Sequence, residues 1–258
     1  MTFVSTFGIA ALIVLGFMTL AFVISVIRKR NDFADTAWGL GFIVVAVSTL
    51  LLNGTYYEKQ LLVTGLVALW GLRLSGHIYL RNRGKKEDHR YEDLKKKWKG
   101  NFYLQSYLNV FLSQGFLLLL ISVPVIFINS SSDAGFQLLD GLAVIIWFIG
   151  FYFESNGDYQ LTEFIKDPKN KGHVMKEGLW KYTRHPNYFG EVMQWWGIFL
   201  IALSLPNGVF TIVGPLVITI LITKVSGIPL LEKKYEGRPE WEAYKKKTSI
   251  FFPMPPKK

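Results

Sequence analysis

The stretch from Gly178 to Glu191, GLWKYTRHPNYFGE, decides the fold class because it places a dense polar cluster at the start of an apolar run. Pro186 favours a helix start, and Asn187 and Glu191 are four residues apart, so both lie on one face of the predicted helix. Gln194 extends the same face by three residues. A carboxylate inside a membrane helix is costly, and by default it marks a functional site.

Apolar runs that approach or reach membrane-spanning length recur along the chain. Half of its 258 residues are hydrophobic and 16% are aromatic, and a span needs roughly 20 apolar residues. We predict an all-α integral membrane protein with about seven transmembrane helices, two of them short, in a single domain over residues 1–258. The seven runs cover residues 3–27, 37–52, 61–80, 107–128, 138–153, 188–205 and 209–228.

The basic residues predict the orientation of these helices. Of the 29 Lys and Arg, 26 follow the first, third, fifth and seventh runs, whereas the loops on the opposite side contain only Lys59. The positive-inside rule therefore predicts an outside N-terminus and a cytoplasmic C-terminus, with the first helix retained as an anchor. The net charge of +10 is thus concentrated on one membrane face, where membrane lipids are expected partners.

The composition excludes several kinds of chemistry. The chain has no cysteine, which excludes disulfides, thiolate metal sites and cysteine nucleophiles. The histidines at positions 77, 89, 173 and 185 lack metal-ligand spacing, so we predict no metal site. Because no Gly-x-Gly-x-x-Gly or Walker loop is present, a bound dinucleotide must be held by helices. The basic residues lack a recognition-helix pattern, and no nucleic acid is expected.

Two polar groupings lie in the first half of the chain. Asp32 and Asp35 precede the second run as candidate N-caps of its helix, and Asp35, which lies deeper, is the better candidate for catalysis. Arg73 and His77 are four residues apart on the third helix and start a polar stripe. The stripe continues into residues 81–86, RNRGKK, where a glycine and flanking donors suit a phosphate.

Two further groupings lie in the second half. Residues 154–160, ESNGDYQ, contain one i,i+4 pair of acids and one of amides, which suits either a ligand site or a solvated helix end. Residues 183–185, TRH, precede Pro186 at a predicted helix N-terminus, where an anion is favoured. The basic and aromatic tail, residues 233–253, is predicted to lie on the membrane interface or to close over a cofactor.

At these residues the chain resembles the steroid 5-alpha-reductase superfamily, and more closely its bacterial branch of domain-of-unknown-function proteins. The resemblance spans most of the chain and rests on residues 35–39, 70–73 through 82–85, 178–197 and 224–232. It implies a seven-helix fold in a bacterial cell membrane. Such a fold holds NADPH in a cavity open to the cytoplasm and admits an apolar substrate from the bilayer.

The resemblance also implies which residues contact NADPH. The contacts carried over by motif are Asn82, Arg83, Lys85, Asp158, Asn187 and Glu191. Cationic donors suit the pyrophosphate and the 2′-phosphate, which adds Lys166, Lys181 and Arg184.

The proton donor does not carry over. The steroid enzymes polarise the substrate carbonyl with a tyrosine on the third helix, paired with an early glutamate. An ungapped match from Asn82 places that tyrosine near Gly71, where this chain has none. The candidates are therefore His77, Tyr188 and Asp35.

The implied activity is NADPH-dependent reduction of a carbon–carbon double bond, conjugated to a carbonyl, in a steroid-like or other hydrophobic lipid substrate. Two alternatives stay open. Residues 184–190, RHPNYFG, and the tail pattern at 244–253 also resemble isoprenylcysteine and phospholipid methyltransferases, whose cofactor is S-adenosylmethionine. A non-enzymatic transporter or lipid-binding protein would also place polar residues inside a membrane.

Overall fold

A computed structural model describes residues 1–98, 100–131 and 135–257. Within these ranges the secondary structure is helical, apart from an isolated parallel bridge between Thr183 and Ser249. The all-α prediction is confirmed. The chain divides into two compact units, a first unit of Met1–Gln137 with Ile201–Gly214, and a second unit of Leu138–Leu200 with Pro215–Lys258.

The helices of the first unit come mainly from the N-terminal half. They are α1 Phe3–Arg28, α2 Phe33–Asn53, α3 Glu58–Asn82, α4 His89–Lys97, α5 Phe102–Ser106, a π-helical segment Tyr107–Leu112, α6 Ser113–Ile121, α7 Val123–Ser130 and a 3₁₀ segment Gly208–Ile212.

The second unit contains α8 Leu138–Lys166, most of α9 Pro186–Leu203, most of α10 Val213–Ile220, a π-helical segment Leu221–Val225, α11 Ile228–Tyr235 and α12 Pro239–Lys247. Two short 3₁₀ segments, Pro168–Asn170 and Gly178–Lys181, connect α8 to α9.

Six helical segments of the described chain, rather than the predicted seven, are long and apolar enough to cross a membrane. They are Phe3–Arg28, Phe33–Asn53, Glu58–Asn82, Phe102–Ile121, Leu138–Lys166 and Gly208–Tyr235. The predicted span that is absent from this set is the sixth, residues 188–205, which corresponds to α9 and is 18 residues long. Its polar residues Asn187, Glu191 and Gln194 lower the average hydropathy of that helix. The orientation stays a prediction.

The fourth predicted span is interrupted. The helical path passes through a π-helical segment and α6, and α7 begins anew at Val123 with Pro124 in its first turn. Proline has no N–H to donate, so it is tolerated at a helix start and interrupts a continuing helix. The apolar run is therefore divided, although its composition is continuous.

Close backbone contacts and buried amides hold the first unit together. A Cβ atom at Gly39 would lie 2.7 Å from the Gly71 carbonyl oxygen, so α2 and α3 touch through glycine. The buried Asn129 of α7 donates from Nδ2 to the Ala46 carbonyl oxygen of α2 at 2.9 Å. Gln60 Nε2 of α3 donates to the Asn129 carbonyl oxygen at 3.1 Å. These bonds satisfy polar groups that have no access to water.

Glycine also brings α8 and α9 of the second unit together. A Cβ atom at Gly190 would lie 2.4 Å from both the Gly150 carbonyl oxygen and the Glu154 backbone nitrogen. Gly197 follows Gly190 by seven residues, on the same helix face, and its Cβ would lie 2.9 Å from the Ala143 carbonyl oxygen. Small residues at such spacing let membrane helices approach closely.

Candidate functional site

The closest approach of α8 and α9 carries a set of facing polar side chains, here called the α8/α9 polar face: Glu154, Asp158, Asn187 and Gln194. Gln194 Nε2 donates to Glu154 Oε2 at 2.5 Å, and Asn187 Nδ2 donates to Asp158 Oδ1 at 3.0 Å. Glu154 and Gln194 are only 2% and 1% exposed. The glycine contacts therefore place two buried carboxylates against two carboxamides.

Helix α8 runs through residues 154–160 without a break. Glu154 and Asp158 are buried, so the alternative of a solvated helix end is wrong for these two acids. The amides serve local structure: Asn156 Nδ2 donates to the Tyr152 carbonyl oxygen at 3.1 Å, and Gln160 Oε1 accepts from the Leu179 N–H at 2.9 Å.

Gln160 also explains the glycine that starts the decisive motif. Gly178 adopts φ 57°, and a Cβ atom there would lie 2.6 Å from Gln160 Oε1. Both the left-handed backbone and the close approach require glycine. The turn before α9 is thereby joined to α8.

Three buried polar atoms on or beside the α8/α9 polar face have no hydrogen-bond partner among the described residues: Asn187 Oδ1, Gln194 Oε1 and Ser155 Oγ. Each carboxamide uses its NH₂ group on a carboxylate and leaves its carbonyl oxygen without a donor. An unsatisfied buried acceptor costs about 1–3 kcal/mol. The face therefore has spare capacity for a molecule that carries N–H or O–H donors.

Other predicted cofactor residues of the second unit lie in different surroundings. Glu191 is partly buried on α9, one turn after Asn187. Lys166 is exposed and pairs with Glu163 at 2.7 Å. Lys181 is exposed in the short 3₁₀ segment before α9.

A second polar cluster of this unit, here called the Glu232 hub, contains Arg184, His185 and Glu232. Arg184 bonds both carboxylate oxygens of Glu232, through Nε at 2.7 Å and Nη2 at 3.2 Å. His185 Nε2 lies 3.2 Å from Glu232 Oε1. Burial lowers the pKa of His185 below its usual 6.5, and Glu232 opposes part of that shift.

Arg184 also holds backbone groups of the C-terminal segment. Its Nη1 atom donates to the carbonyl oxygens of Thr248 at 2.7 Å and Lys245 at 3.3 Å. The guanidinium lies 5.9 Å from the centre of the Trp241 ring. Arg184, predicted as a phosphate ligand, thus has most of its donors engaged within the protein.

The tail packs along the segment before α9. Arg184 donates its backbone N–H to the Ser249 carbonyl oxygen, and Thr183 Oγ1 donates to the Phe251 carbonyl oxygen, both at 2.9 Å. Met254 donates its N–H to the Tyr182 carbonyl oxygen at 3.0 Å. The segment from Tyr182 to Arg184 therefore holds the C-terminal segment in place before α9.

In the first unit, Asp35 joins α2 to α4. Its carboxylate oxygens accept from Arg90 Nη2 and from the Tyr91 hydroxyl, each at 2.6 Å. Burial, with the negative charge of Asp35, raises the pKa of Tyr91 well above 10. Asp32 occupies the N-cap position of α2 but makes no side-chain capping bond; it accepts from Arg30 instead. The predicted capping role of Asp32 is therefore wrong, and its carboxylate forms an ion pair with Arg30.

A cleft of about 350 Å³ opens in the first unit where α1 and α3 end and α2 begins. Asn82 and Arg83, both predicted cofactor residues, line it. The Lys85 side chain is exposed, and its carbonyl oxygen accepts from Arg30 Nη1 at 2.7 Å. His77 is partly buried on α3, before these residues.

Sequence reasoning missed three residues that organise these clusters. Glu232 was part of a recognised motif without a role, although an acid that follows an apolar segment was a usable signal. Arg90 and Tyr91 lie in the strongly charged segment that forms α4, where the sequence offers no sign that the tyrosine is buried.

The family model described as "Protein of unknown function (DUF1295)" matches residues 21–248. The chain belongs to this family. DUF1295 is part of the steroid 5-alpha-reductase-like superfamily, so the resemblance to that superfamily is confirmed.

Similarity to individual proteins is weaker. The 3-oxo-5-alpha-steroid 4-dehydrogenase 1 proteins of Mus musculus and Rattus norvegicus are each 30% identical over 67 residues, 26% of this chain and 26% of those proteins. The match spans about a quarter of their length. An uncharacterised protein of Schizosaccharomyces pombe is 25% identical over 89% of this chain and 74% of that protein. No solved structure matches the chain significantly.

Proposed function

We propose that this membrane protein is an NADPH-dependent reductase of a carbon–carbon double bond, conjugated to a carbonyl, in a hydrophobic substrate dissolved in the bilayer. The observation that carries the proposal is the α8/α9 polar face of this DUF1295 protein, where the carboxamide oxygens of Asn187 and Gln194 lack donors among the described residues. The short similarity to steroid dehydrogenases supports the same reaction class.

The unpartnered acceptor oxygens of the α8/α9 polar face suit the hydrogen-bond donors of a nicotinamide nucleotide. A nicotinamide carboxamide and ribose hydroxyls carry N–H and O–H donors, which match the unpartnered oxygens of Asn187 and Gln194. Asp158 and Glu154 fix the orientation of these two carboxamides. NADPH, when bound, supplies the hydride, and the protein supplies orientation and exclusion of water.

The remaining cofactor contacts are proposed from the superfamily resemblance. In the second unit they include Glu191, with Lys166, Lys181 and Arg184 as cationic additions; in the first unit they are Asn82, Arg83 and Lys85. NADPH affinity should be measured for variants of each unit separately, because the contacts proposed in one unit do not depend on those proposed in the other.

Tyr188 is the first of the three acid candidates to test. It directly follows Asn187 on α9 and stacks on His185, with ring centres 5.7 Å apart and an interplanar angle of 22°. A phenol O–H can donate to a carbonyl on which negative charge develops. Both carboxylate oxygens of Asp35 already accept hydrogen bonds, from Arg90 and Tyr91, so Asp35 is the last candidate to test and His77 is the second.

Ligand-dependent stability of the detergent-solubilised protein tests the cofactor class. A ligand that binds only the folded state at 100 times its Kd stabilises it by about 2.7 kcal/mol. We expect NADPH to raise the Tm. A shift with S-adenosylmethionine and none with NADPH would support the methyltransferase alternative, and no shift with either would favour transport or lipid binding.

Glu191→Gln tests the partly buried acid of α9 that lies one turn after Asn187. The amide keeps the shape but not the ionised acceptor, so NADPH binding should weaken by about 1.5–3 kcal/mol, roughly ten- to a hundredfold. Glu163→Gln, at an exposed acid of α8, is the matched control. Equal NADPH affinity in the parent and both variants would remove Glu191 from the cofactor site.

We also propose that the N-terminus is outside and that the cofactor site faces the cytoplasm. Single cysteines at Asn53 and Ser131 should react with an impermeant reagent on intact cells, and those at Asn101, Asn170 and Ser249 should not. The chain has no native cysteine to interfere. Labelling at Asn101 from outside would reverse the orientation.

A further inference from the structure

The spanning segment Phe102–Ile121 of the first unit packs one of its sides against α1. Phe111 is fully buried, and its ring centre lies 5.5 Å from that of Phe22 on α1. The Tyr107 ring also contacts Phe22, with ring centres 5.0 Å apart. The Tyr107 hydroxyl lies 2.8 Å from Thr19 Oγ1. This side of the segment is therefore occupied by a neighbouring helix of the same chain.

Another side of the segment carries three polar residues, Gln105, Asn109 and Ser113, here called the α5/α6 polar stripe. They are spaced four residues apart, as on one side of a helix. Asn109 and Ser113 are exposed, and Gln105 is partly buried. Asn109 belongs to the π-helical segment Tyr107–Leu112, and π-helical turns are rare and frequently occur at functional sites. The stripe therefore lies on a surface that the described chain leaves uncovered.

Apolar side chains around the stripe show that it lies within the membrane. Tyr103 is 56% exposed, in the position typical of an aromatic residue at the membrane interface. Leu108 and Phe116 are 47% and 61% exposed. With a helical rise of about 1.5 Å per residue, Asn109 and Ser113 lie about 9 and 15 Å deeper than Tyr103. Polar groups at such depth are costly unless another molecule supplies hydrogen bonds.

The stripe uses some of its hydrogen-bonding groups within the helix and leaves others free. Asn109 Nδ2 donates to Gln105 Oε1 at 2.6 Å and to the Gln105 carbonyl oxygen at 3.0 Å. Ser113 Oγ donates to the Asn109 carbonyl oxygen at 2.7 Å. The Gln105 NH₂ group and Asn109 Oδ1 have no partner among the described residues. One free donor and one free acceptor therefore lie about one turn apart.

We propose that the α5/α6 polar stripe is the interface through which two copies of this chain associate in the membrane. All copies share one orientation, so a two-fold axis along the membrane normal places the two stripes face to face at equal depth. Gln105 Nε2 of each copy then donates to Asn109 Oδ1 of the other copy. This arrangement uses the free donor and the free acceptor of both copies, and such amide bonds join membrane helices.

A second copy fits the stripe better than an unrelated partner does, because its donor and acceptor lie at the matching depth by symmetry. An unrelated helix would have to carry the same pair of groups at the same level. The proposal does not depend on the proposed reductase function. It also holds whichever end of the chain faces the cytoplasm, since both copies would be inverted together.

Cross-linking in native membranes tests the interface, and the chain has no native cysteine to interfere. Across a two-fold axis, a cysteine at position 109 faces its own counterpart, so a short bismaleimide should link two copies of Asn109→Cys. Leu72→Cys, at a 62% exposed position of α3, is the control for random collision. We expect several-fold more linked dimer from Asn109→Cys. Equal yields from the two variants would overturn the proposal.

The dimer Kd tests the hydrogen bonds, measured by energy transfer between labelled copies in vesicles at varied protein-to-lipid ratio. Gln105→Leu removes the free donor and Asn109→Leu removes the free acceptor, and by symmetry each loses two bonds. Each variant should therefore dimerise about tenfold more weakly. Because the two groups belong to the same bonds, the double variant should weaken little further. Asn156→Leu, which removes an amide bonded to its own helix on α8, should stay within about twofold of the parent.

The same measurements distinguish a second copy from other occupants. A parent that stays monomeric at every protein-to-lipid ratio overturns the proposal, and the stripe would then face lipid or a ligand. An equal Kd in the parent and Asn109→Leu, or additive losses in the double variant, would also contradict the proposed bonds. Far-UV circular dichroism checks that the leucine variants fold. If one of them loses helix, the cross-linking yield of Asn109→Cys decides.

Discussion

The Glu232 hub and the α8/α9 polar face are two buried polar clusters of one unit, and they differ in how completely their hydrogen bonds are made. In the hub, Arg184 makes four hydrogen bonds and Glu232 accepts from two side chains, while His185 Nδ1 is a buried atom without a partner among the described residues. On the polar face, Asn187 and Gln194 each donate to a carboxylate but leave a buried oxygen unpaired.

This difference indicates which buried polar cluster stabilises the fold and which could bind a ligand. An ion pair such as Arg184 and Glu232, whose charges are matched and whose hydrogen bonds are nearly all made, has little left to offer a ligand, and removing one member leaves its partner unpaired. Unmatched buried acceptors destabilise the ligand-free protein, and a ligand that donates hydrogen bonds to them removes this destabilisation. The hub should therefore matter mostly for stability, and the polar face mostly for binding.

The largest effect is expected for Glu232→Ala. The change leaves the buried Arg184 charge without its carboxylate, and breaking a buried ion pair costs about 3–5 kcal/mol. The free energy of unfolding in detergent measures it. Glu163→Ala, in the exposed pair with Lys166, should leave stability unchanged.

A double variant sharpens this test. If the loss comes from an unpaired buried charge, Arg184→Met combined with Glu232→Leu should be more stable than either single variant. If the two single losses of stability simply add, the pair is not coupled, and the hub would not be the stabilising cluster that the comparison requires.

Gly190→Ala should have the next largest effect. Its Cβ would lie 2.4 Å from backbone atoms of α8, which cannot move aside as a side chain can, so we expect a loss of about 1–3 kcal/mol in stability. Gly65→Ala on α3, where no atom lies within 4 Å, should be neutral or stabilising by about 0.4–1 kcal/mol. Equal stability of the two variants would show that close packing does not hold the polar face together.

Asn187→Ala should separate binding from folding. It removes the unpaired Oδ1 acceptor, and loss of one such bond corresponds to about 1–3 kcal/mol, a five- to 150-fold weaker Kd for NADPH. Asn156→Ala, which removes an amide bonded only to its own helix, is the control. A large fall in Tm with unchanged NADPH affinity would place the polar face with the hub as a structural cluster.

The smallest effect concerns pH. Because the folded-state pKa of His185 lies below the unfolded value of about 6.5, its contribution to stability is complete above pH 6.5 and declines as the pH falls toward the folded pKa. His185→Gln should flatten the fall in Tm between pH 7 and pH 5. An identical pH profile in the parent and the variant would show that His185 does not titrate on unfolding in this range.

Much of the fold was predictable from apolar periodicity. Six of the seven predicted spans correspond to segments that are long and apolar enough to cross a membrane. The remaining one, the sixth predicted span, forms as helix α9 at the predicted position, but its polar residues remove it from that group. Pro124 divides the fourth run, a local effect of a missing N–H that an average over apolar residues does not reveal.

The site was predictable where polar residues interrupt an apolar helix. Asp158 and Asn187 were both predicted as cofactor contacts, and the structure adds that they bond to each other, with Glu154 and Gln194 as a second pair. Whether these residues bind NADPH stays a proposal. The alternatives to that cofactor are tested by the same ligand series.

The sequence by itself determined the fold class, the family and the helices on which polar residues lie, because hydropathy, charge and motif spacing are local properties of the chain. Only the tertiary structure decided which polar groups are matched. Arg184 and Glu232 are 48 residues apart in sequence, and Arg28 and Arg83 are 55 apart, yet each pair lines one cluster or cleft. Hydrogen-bond saturation and burial depend on such distant partners, so no local pattern distinguishes a buried arginine that holds a carboxylate from an exposed arginine that lines a cleft.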